Sequence, residues 1–263
     1  MRRSSAKLSL LSAPLAALVG MLALWQAVVS VFTIPAFILP GPGAVYLRGV
    51  AFGANWWPHI GATISIAFVG FGVAIVVGVL LAVVIVHAPR FGRILTPALV
   101  ILQIMPKIAF APLFLVWFGM GPTPIVVVTF LVAFFPMVVN ATVGLADIEQ
   151  DLLDLTKVLR LNWLRVLWSI RFPSALPHLF SGLKVASTLA VIGVVIGEFV
   201  GSNKGLGYLV LIANNNLDTP LALAAIWLIS LFGLLLYGAI TLIEMASMPW
   251  QPVQTDFGAK GRF

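Results

Sequence analysis

The sequence contains no cysteine and few charged residues. None of the 263 residues is Cys, and Asp, Glu, Lys and Arg together make up 9% of the chain. The absence of cysteine excludes disulfides, thiolate nucleophiles and Cys-ligated metal sites. Soluble domains carry about 25% charged residues, whereas this chain is 61% apolar with a mean hydropathy of +1.12. These values predict an integral membrane protein that forms one membrane domain and no sizeable soluble domain.

The motifs that mark catalysis are also absent. The sequence contains neither a GxxxxGK[ST] phosphate loop nor a GxSxG nucleophile motif. His59, His87 and His178 are far apart and show neither HxxxH nor HExxH spacing. We therefore predict no catalytic residue, no metal site and no cofactor on this chain, and any ATP hydrolysis belongs to a separate polypeptide.

Six apolar runs are long enough to cross a bilayer, which takes about 20 residues of helix. They lie at residues 8–31, 60–86, 94–118, 124–146, 178–200 and 221–244. With the N-terminus inside, twelve of the 15 Lys and Arg residues fall on cytoplasmic segments, and only Arg48 and Lys204 fall outside. This positive-inside bias predicts an all-α protein of six spans with both termini in the cytoplasm. It also explains the net charge of +7 without a nucleic-acid partner.

Residues 147–177, between the fourth and fifth runs, carry charges that prevent them from crossing a bilayer. Asp147 and Gln150 form a capping-box pattern, which predicts that a short helix begins here. Asn162 is suited to cap a second short helix, and Pro173 is expected to end it. The pattern predicts a cytoplasmic loop that contains two short helices.

Apolar residues recur at helical spacing along this loop, so it presents an apolar face that must be covered. In one alternative, the face packs on the protein's own span ends or lies in the lipid interface. In the other, it docks to a cytoplasmic partner. The residue pattern alone leaves both alternatives open.

The loop resembles the coupling loop of bacterial ABC importer permeases, whose signature is roughly EAA-x3-G-x9-I-x-LP. The tripeptide 154–156 stands at the EAA position, Arg160 stands at the Gly position, and IRFP (170–173) followed by SALP (174–177) matches the end. The resemblance implies that the loop contacts an ATPase through Asp154, Leu155, Thr156, Leu159, Arg160, Asn162, Pro173 and Pro177.

The resemblance extends over most of the chain. The pieces APLFLVWFGMG (111–121), SGLKVASTLAVIGVVIGEFVG (181–201) and GLGYLVL (205–211) are similar to permeases for aliphatic sulfonates, taurine, nitrate or bicarbonate, and vitamin precursors. MPKIAFAPLFLVWFGMG (105–121) is most similar to permeases for pyrimidine-type thiamine precursors. The substrate implied is a small polar or anionic solute of one of these kinds.

The family also implies partners and a location. Two copies of the permease, expected to be identical, would bind two cytoplasmic ATPases that hold ATP and Mg²⁺, and a periplasmic or lipid-anchored binding protein would deliver the substrate. The location implied is the bacterial inner membrane. The alternative is a stand-alone secondary transporter or channel that works without an ATPase.

One departure from the family signature is Arg160, which stands where Gly is expected. A residue just after a helix C-terminus often adopts the left-handed conformation, which favours Gly. We therefore expect either a different turn in this chain or a strained Arg160 that contacts the partner.

Four residues are candidates to line the translocation path: Met105, Lys107, Phe110 and Glu198. A lysine in the middle of a span is costly unless it faces a cavity or a partner. Lys107 could therefore meet an anionic substrate, or it could only bind a carbonyl or reach the interface. Glu198 could contact substrate or form an interfacial ion pair. Gly193, Gly197 and Gly201 are spaced for close helix packing.

Overall fold

The computed structural model describes residues 2–249, with side chains from Ala16 onward. All regular secondary structure in this part of the chain is helical. The α-helices are α1 (Arg2–Val31), α2 (Pro42–Phe52), α3 (Trp56–His87), α4 (Pro89–Ile104), α5 (Ala111–Phe118), α6 (Pro122–Ala146), α7 (Gln150–Val158), α8 (Trp163–Val166), α9 (Phe172–Gly201), α10 (Leu206–Asn215) and α11 (Thr219–Ser247). Short 3₁₀ turns occupy Gly53–Asn55 and Lys107–Phe110, and a π-helix occupies Leu167–Arg171.

Four helical segments within residues 2–249 are long and apolar enough to cross a membrane. They are Pro42–His87, Pro122–Ala146, Trp163–Gly201 and Thr219–Ser247. Each contains one of the predicted apolar runs, at 60–86, 124–146, 178–200 and 221–244. The predicted first span, 8–31, falls within α1, but its side chains are described only from Ala16, so this span remains a prediction.

The predicted third span, 94–118, is broken. Helix α4 ends at Ile104, and the chain then bends by 78° before it continues through the 3₁₀ turn into α5. Met105, with φ −60° and ψ 138°, is extended, as expected of a residue before a proline. Pro106 therefore separates two helices where the sequence predicted one span.

The chain divides into two compact units. The first comprises the residues up to Ala62 together with Lys204–Ile229. Its core packs α10 against the start of α11 through Leu209, Val210, Ala213, Leu221, Ala222 and Ala225. Asp218 joins these two helices, because its carboxylate accepts a hydrogen bond from the Leu221 amide (3.2 Å) at the start of α11. The same carboxylate accepts a second bond, of 2.8 Å, from Nε of Arg48.

The second unit comprises Thr63–Asn203 and the residues from Ser230 onward. Its centre is the close pair α6 and α9, which meet through glycines. A Cβ on Gly193 would lie 2.9 Å from Cα of Thr129, and one on Gly197 would lie 2.6 Å from Cγ2 of Ile125. The spacing of these glycines predicted close packing, and the structure confirms it.

Candidate functional site

The segment between α6 and α9 contains α7, a tight turn, α8 and the π-helix. The predicted capping box is wrong. Helix α7 begins at Gln150 after the N-cap residue Glu149, whose side chain makes no capping hydrogen bond. Asp147 instead ends α6 as its C-cap residue, and its carboxylate lies 3.6 Å from Nε2 of His178. The long helix α6 thus runs to Ala146, and α7 starts three residues beyond Asp147.

The turn after α7 has the hydrogen bonds of a Schellman motif. The Arg160 amide donates to the Lys157 carbonyl (3.0 Å), and the Leu161 amide donates to the Thr156 carbonyl (3.1 Å). Arg160 has φ +50°, the left-handed conformation that this motif requires. The expectation of a strained Arg160 is therefore confirmed for the backbone: the turn is the usual one, and an arginine occupies the glycine position.

The prediction that the second short helix ends at Pro173 is wrong. Asn162 is the N-cap residue of α8, as expected, although its side chain makes no capping hydrogen bond. From α8 the chain continues through the π-helix into α9, so Trp163–Gly201 is one long helical segment. Pro173 lies in the first turn of α9, directly after the π-helix, where the regular α-helical hydrogen bonding that a proline breaks is already interrupted.

Most of the predicted coupling residues are exposed to solvent. Asp154, Leu155, Leu159, Arg160, Asn162 and Pro173 are exposed, and Pro177 is half-buried. Thr156 is the exception, because it is buried and its hydroxyl donates to the Leu153 carbonyl (2.6 Å). This hydrogen bond lies within α7, and the buried side chain presents almost no surface to a partner.

Three exposed apolar side chains, which we call the α7 stripe, lie along one side of α7. Leu155, Val158 and Leu159 have exposed fractions of 51%, 78% and 59%. Their spacing of three and four residues places them on one helix face. Sequence analysis missed Val158, although its position three residues after Leu155 would have identified it. The stripe lies beside the ion pair Asp154–Lys157, whose Oδ1–Nζ distance is 2.7 Å.

The broken third span borders an open apolar cleft of about 610 Å³. Two of the four predicted path residues, Met105 and Phe110, line it, together with Pro106, Ala109, Pro112, Leu113 and Val116. The break exists because of the prolines, so the same residues that interrupt the span also shape the cleft.

Lys107 begins the 3₁₀ turn in this break and has two partners. Its Nζ donates to the Gln103 carbonyl (2.9 Å), which belongs to the last turn of α4, and it lies 4.4 Å from the centre of the Phe135 ring. The first contact satisfies a carbonyl that has no partner within its own helix. The second is a cation–π contact. Both contacts are made within the protein and need no substrate, so the role of Lys107 in transport stays a prediction.

Glu198 is fully buried, with an exposed fraction of 0%. Its Oε1 accepts a 2.7 Å hydrogen bond from the hydroxyl of Thr63, which is also fully buried. Glu198 is not among the described residues that line the cleft beside Met105 and Phe110. The structure therefore does not bring the four predicted path residues together in that cleft.

The family model for "binding-protein-dependent transport system inner membrane component" matches residues 74–246 of the chain. This range includes the broken span, the α6–α9 pair and the segment with α7 and α8.

Individual relatives agree with the family match. The chain is 34% identical to the formylaminopyrimidine transport permease protein of Halalkalibacterium halodurans, over 83% of this chain and 88% of the relative. It is 35% identical to the riboflavin transport system permease protein of Chloroflexus aurantiacus, over 88% of this chain and 87% of the relative. Permeases named for aliphatic sulfonates, taurine and nitrate match at 25–30% identity.

A solved structure shows the same fold. A chain of the MetNI methionine ABC transporter matches with a TM-score of 0.67 at 18% identity, over 75% of this chain and 98% of that chain. Together with the family match, this confirms the resemblance seen in the sequence. The chain belongs to the binding-protein-dependent transport system inner membrane components, the permease subunits of ABC transporters, and is a multi-pass membrane protein.

Proposed function

We propose that this permease works in an ATP-driven importer and contacts the cytoplasmic ATPase through the α7 stripe. Two copies of the chain would form the translocation path and bind two ATPase subunits, which hold the ATP and Mg²⁺. A binding protein outside the membrane would deliver the substrate. The observation that carries this proposal is the stripe itself, because apolar side chains at the exposed surface of a charged segment need a cover.

The charges around the stripe favour a protein over lipid as that cover. Helices that lie in the lipid interface are rich in Lys and Arg, which attract anionic lipids. From Glu149 to Arg160 the three acids Glu149, Asp151 and Asp154 outnumber the two bases Lys157 and Arg160. Acidic side chains are repelled by an anionic membrane surface, so a protein groove is the better partner for this face.

The proposed topology has six spans, with both termini and the α7–α8 segment in the cytoplasm of a bacterium. The positive-inside bias supports this orientation. The four apolar helical segments and the bent pair α4–α5 would supply five spans, and α1 would supply the sixth.

The proposed substrate is a small nitrogen heterocycle similar to the pyrimidine precursors of thiamine, with sulfonate, taurine or nitrate as the next candidates. The relatives at 34% and 35% identity are named for formylaminopyrimidine and riboflavin, both of which are nitrogen heterocycles. The cleft beside the broken span is apolar, which suits a planar solute, and Lys107 is the nearest cation to its lining residues along the chain.

The alternative is a secondary transporter or channel that works alone. Ion-coupled transporters bury acids within their spans, and Glu198 is the one fully buried acid in the part of the chain with described side chains. The α7 stripe distinguishes the two functions, because a transporter without an ATPase has no use for it.

Affinity purification from native membranes in mild detergent tests the proposal. We expect a nucleotide-binding ATPase to co-purify in stoichiometric amounts with the wild type and to be lost from Leu155→Glu, because the charge would be buried in the contact. Gln150→Glu is the matched control, since it adds the same charge at an exposed position of α7 away from the stripe. If the wild-type chain purifies alone at native expression, the importer proposal fails and the alternative is favoured.

Arg160→Gly tests whether Arg160 only forms the turn after α7 or also contacts the ATPase. Glycine adopts φ +50° without strain, so we expect a gain of about 1 kcal/mol in the free energy of unfolding. Thermal unfolding in detergent measures it. Leu217→Gly is the matched control, because Leu217 has φ +56° in the turn after α10. A large loss of substrate-stimulated ATP hydrolysis in Arg160→Gly alone would contradict a passive turn and assign Arg160 a docking role.

A further inference from the structure

A second cavity, which we call the loop cavity, lies between the α7–α8 segment and the ends of the long helices. It has a volume of about 340 Å³ and is distinct from the cleft at the broken span. Its walls include His87, the last residue of α3, and Leu145, one residue before the end of α6. Trp163 and Arg171 contribute from the other side. The cavity is therefore located at the ends of the long helices α3 and α6.

The charged side chains that line the loop cavity are both cationic. Arg171 donates from Nη1 to the Leu145 carbonyl at 2.6 Å, which orients its guanidinium group at the end of α6. This bond uses one of the five N–H groups of an arginine. Lys157 contributes a second cation, and its ammonium group has two further donors beside the one it gives to Asp154. Among the described residues that line the cavity, none carries a carboxylate.

The remaining walls combine aromatic and aliphatic groups. The ring of His87 lies 4.6 Å from the ring of Trp163, measured between centroids. Val83, Val86 and Leu153 complete the apolar side. Tryptophan, here Trp163, is enriched at the level of lipid headgroups. A ligand that fits must therefore carry an oxyanion at one end and an apolar part at the other.

We propose that the loop cavity binds a phosphate ester, with Arg171 and Lys157 as the phosphate ligands and the headgroup of an anionic phospholipid as its source. Arginine presents several N–H groups in a plane and binds phosphate oxygens through two of them at once. Basic pockets between spans are known to suit lipid headgroups. The apolar wall formed by Val83 and Val86 would accommodate the start of an acyl chain, which a soluble phosphate lacks. The α7 residues that line the site are Leu153, Thr156 and Lys157, which the helical period places on the side of α7 away from the stripe.

Native mass spectrometry of the intact transporter, extracted from membranes that contain phosphatidylglycerol, tests the proposal. We expect the wild type to retain phosphatidylglycerol and Arg171→Gln and Lys157→Gln each to reduce the retained fraction about fivefold, the effect of one cation near a membrane surface. Arg171→Gln removes the charge and the hydrogen bond to the Leu145 carbonyl, so its melting temperature in detergent is measured to check that it folds. Lys157 is exposed, and its removal threatens the fold even less. Arg165→Gln is the control, because Arg165 is an exposed cation on α8 that does not line the cavity.

A second arm distinguishes the source of the phosphate. Transporter in phosphatidylcholine nanodiscs is titrated with glycerol 3-phosphate. If it binds saturably and depends on Arg171 and Lys157, while no phosphatidylglycerol is retained from membranes, the phosphate site stands and its source is soluble. Equal lipid retention in the wild type and all three variants, without binding of glycerol 3-phosphate, would overturn the proposal. The outcome does not depend on the ATPase or the transported substrate, so the site can fail without the proposed function failing.

Discussion

We expect Lys107→Ala to lower the rate of substrate uptake about tenfold or more. The variant should still assemble in the membrane in nearly normal amounts. A hydrogen bond to a charged group contributes about 1.5–3 kcal/mol, which corresponds to roughly a tenfold or larger change in an equilibrium. If an anionic or electron-rich substrate passes the cleft beside Met105 and Phe110, Lys107 is the nearest cation along the chain. Uptake of labelled substrate, normalised to the amount of folded protein, measures the effect.

A purely structural role of Lys107 has to be separated from this one. Its Nζ satisfies the Gln103 carbonyl at the end of α4, so its removal also affects the local fold. Lys107→Gln removes the charge and keeps a side-chain N–H group one bond nearer the backbone, whereas Lys107→Arg keeps both the charge and N–H donors that can reach the carbonyl. We expect the Gln variant to transport as poorly as the Ala variant, and the Arg variant to restore much of the activity. Normal uptake by a well-expressed Lys107→Gln variant would show that capping α4 is the only role of this residue.

Gly197→Ala is expected to destabilise the second unit by about 1–3 kcal/mol, the usual cost of overpacking a well-packed interior. The added Cβ would lie 2.6 Å from Cγ2 of Ile125 and 3.0 Å from its Cα. The Ile125 side chain could change its rotamer, but the Cα atom belongs to the backbone of α6 and cannot move independently. Helices α6 and α9 would therefore have to separate. The apparent melting temperature in detergent, followed by size-exclusion chromatography, measures the loss.

The matched control for this prediction is Gly72→Ala. Gly72 also lies within a long helix, α3, but no atom of the described residues outside that helix turn lies within 4 Å of the position its Cβ would occupy. Because Ala favours helix over Gly by about 1 kcal/mol, this variant should be neutral or slightly more stable. If Gly197→Ala and Gly72→Ala have the same melting temperature, the close α6–α9 contact is not important for stability.

Local patterns predicted the turn after α7 well but not the helix boundaries on either side. The left-handed position of Arg160 follows from the family signature and from the rule that Schellman motifs end helices. The start of α7 at Gln150 and the continuation of the helix through Pro173 do not follow from local patterns. A residue that could cap one helix can instead belong to the end of the neighbouring helix. Asp147 is the C-cap residue of α6, and Pro173 follows a π-helix within one continuous helical segment.

The sequence predicted some features of the candidate site and missed others, because local patterns do not show how each helix is rotated against its neighbours. The helical period placed Leu155 and Leu159 on one apolar face of the loop, and the structure leaves both exposed, while their contact with an ATPase stays a prediction. Thr156 was not, since the side of α7 that faces the protein depends on how the helix is rotated against its neighbours. Glu198 was singled out for its charge, but only the fold reveals that Thr63 is its buried partner.

The sequence by itself determined that this protein is helical and membrane-embedded, and that it is a permease of the ABC family. These properties depend on hydropathy and on motifs of neighbouring residues, which are read along the chain. Only the tertiary structure decided that Arg171 reaches the Leu145 carbonyl across 26 residues, that Lys107 lies over Phe135, and that two separate cavities exist. Such contacts depend on the rotation and depth of each helix against its neighbours, which hydropathy does not encode.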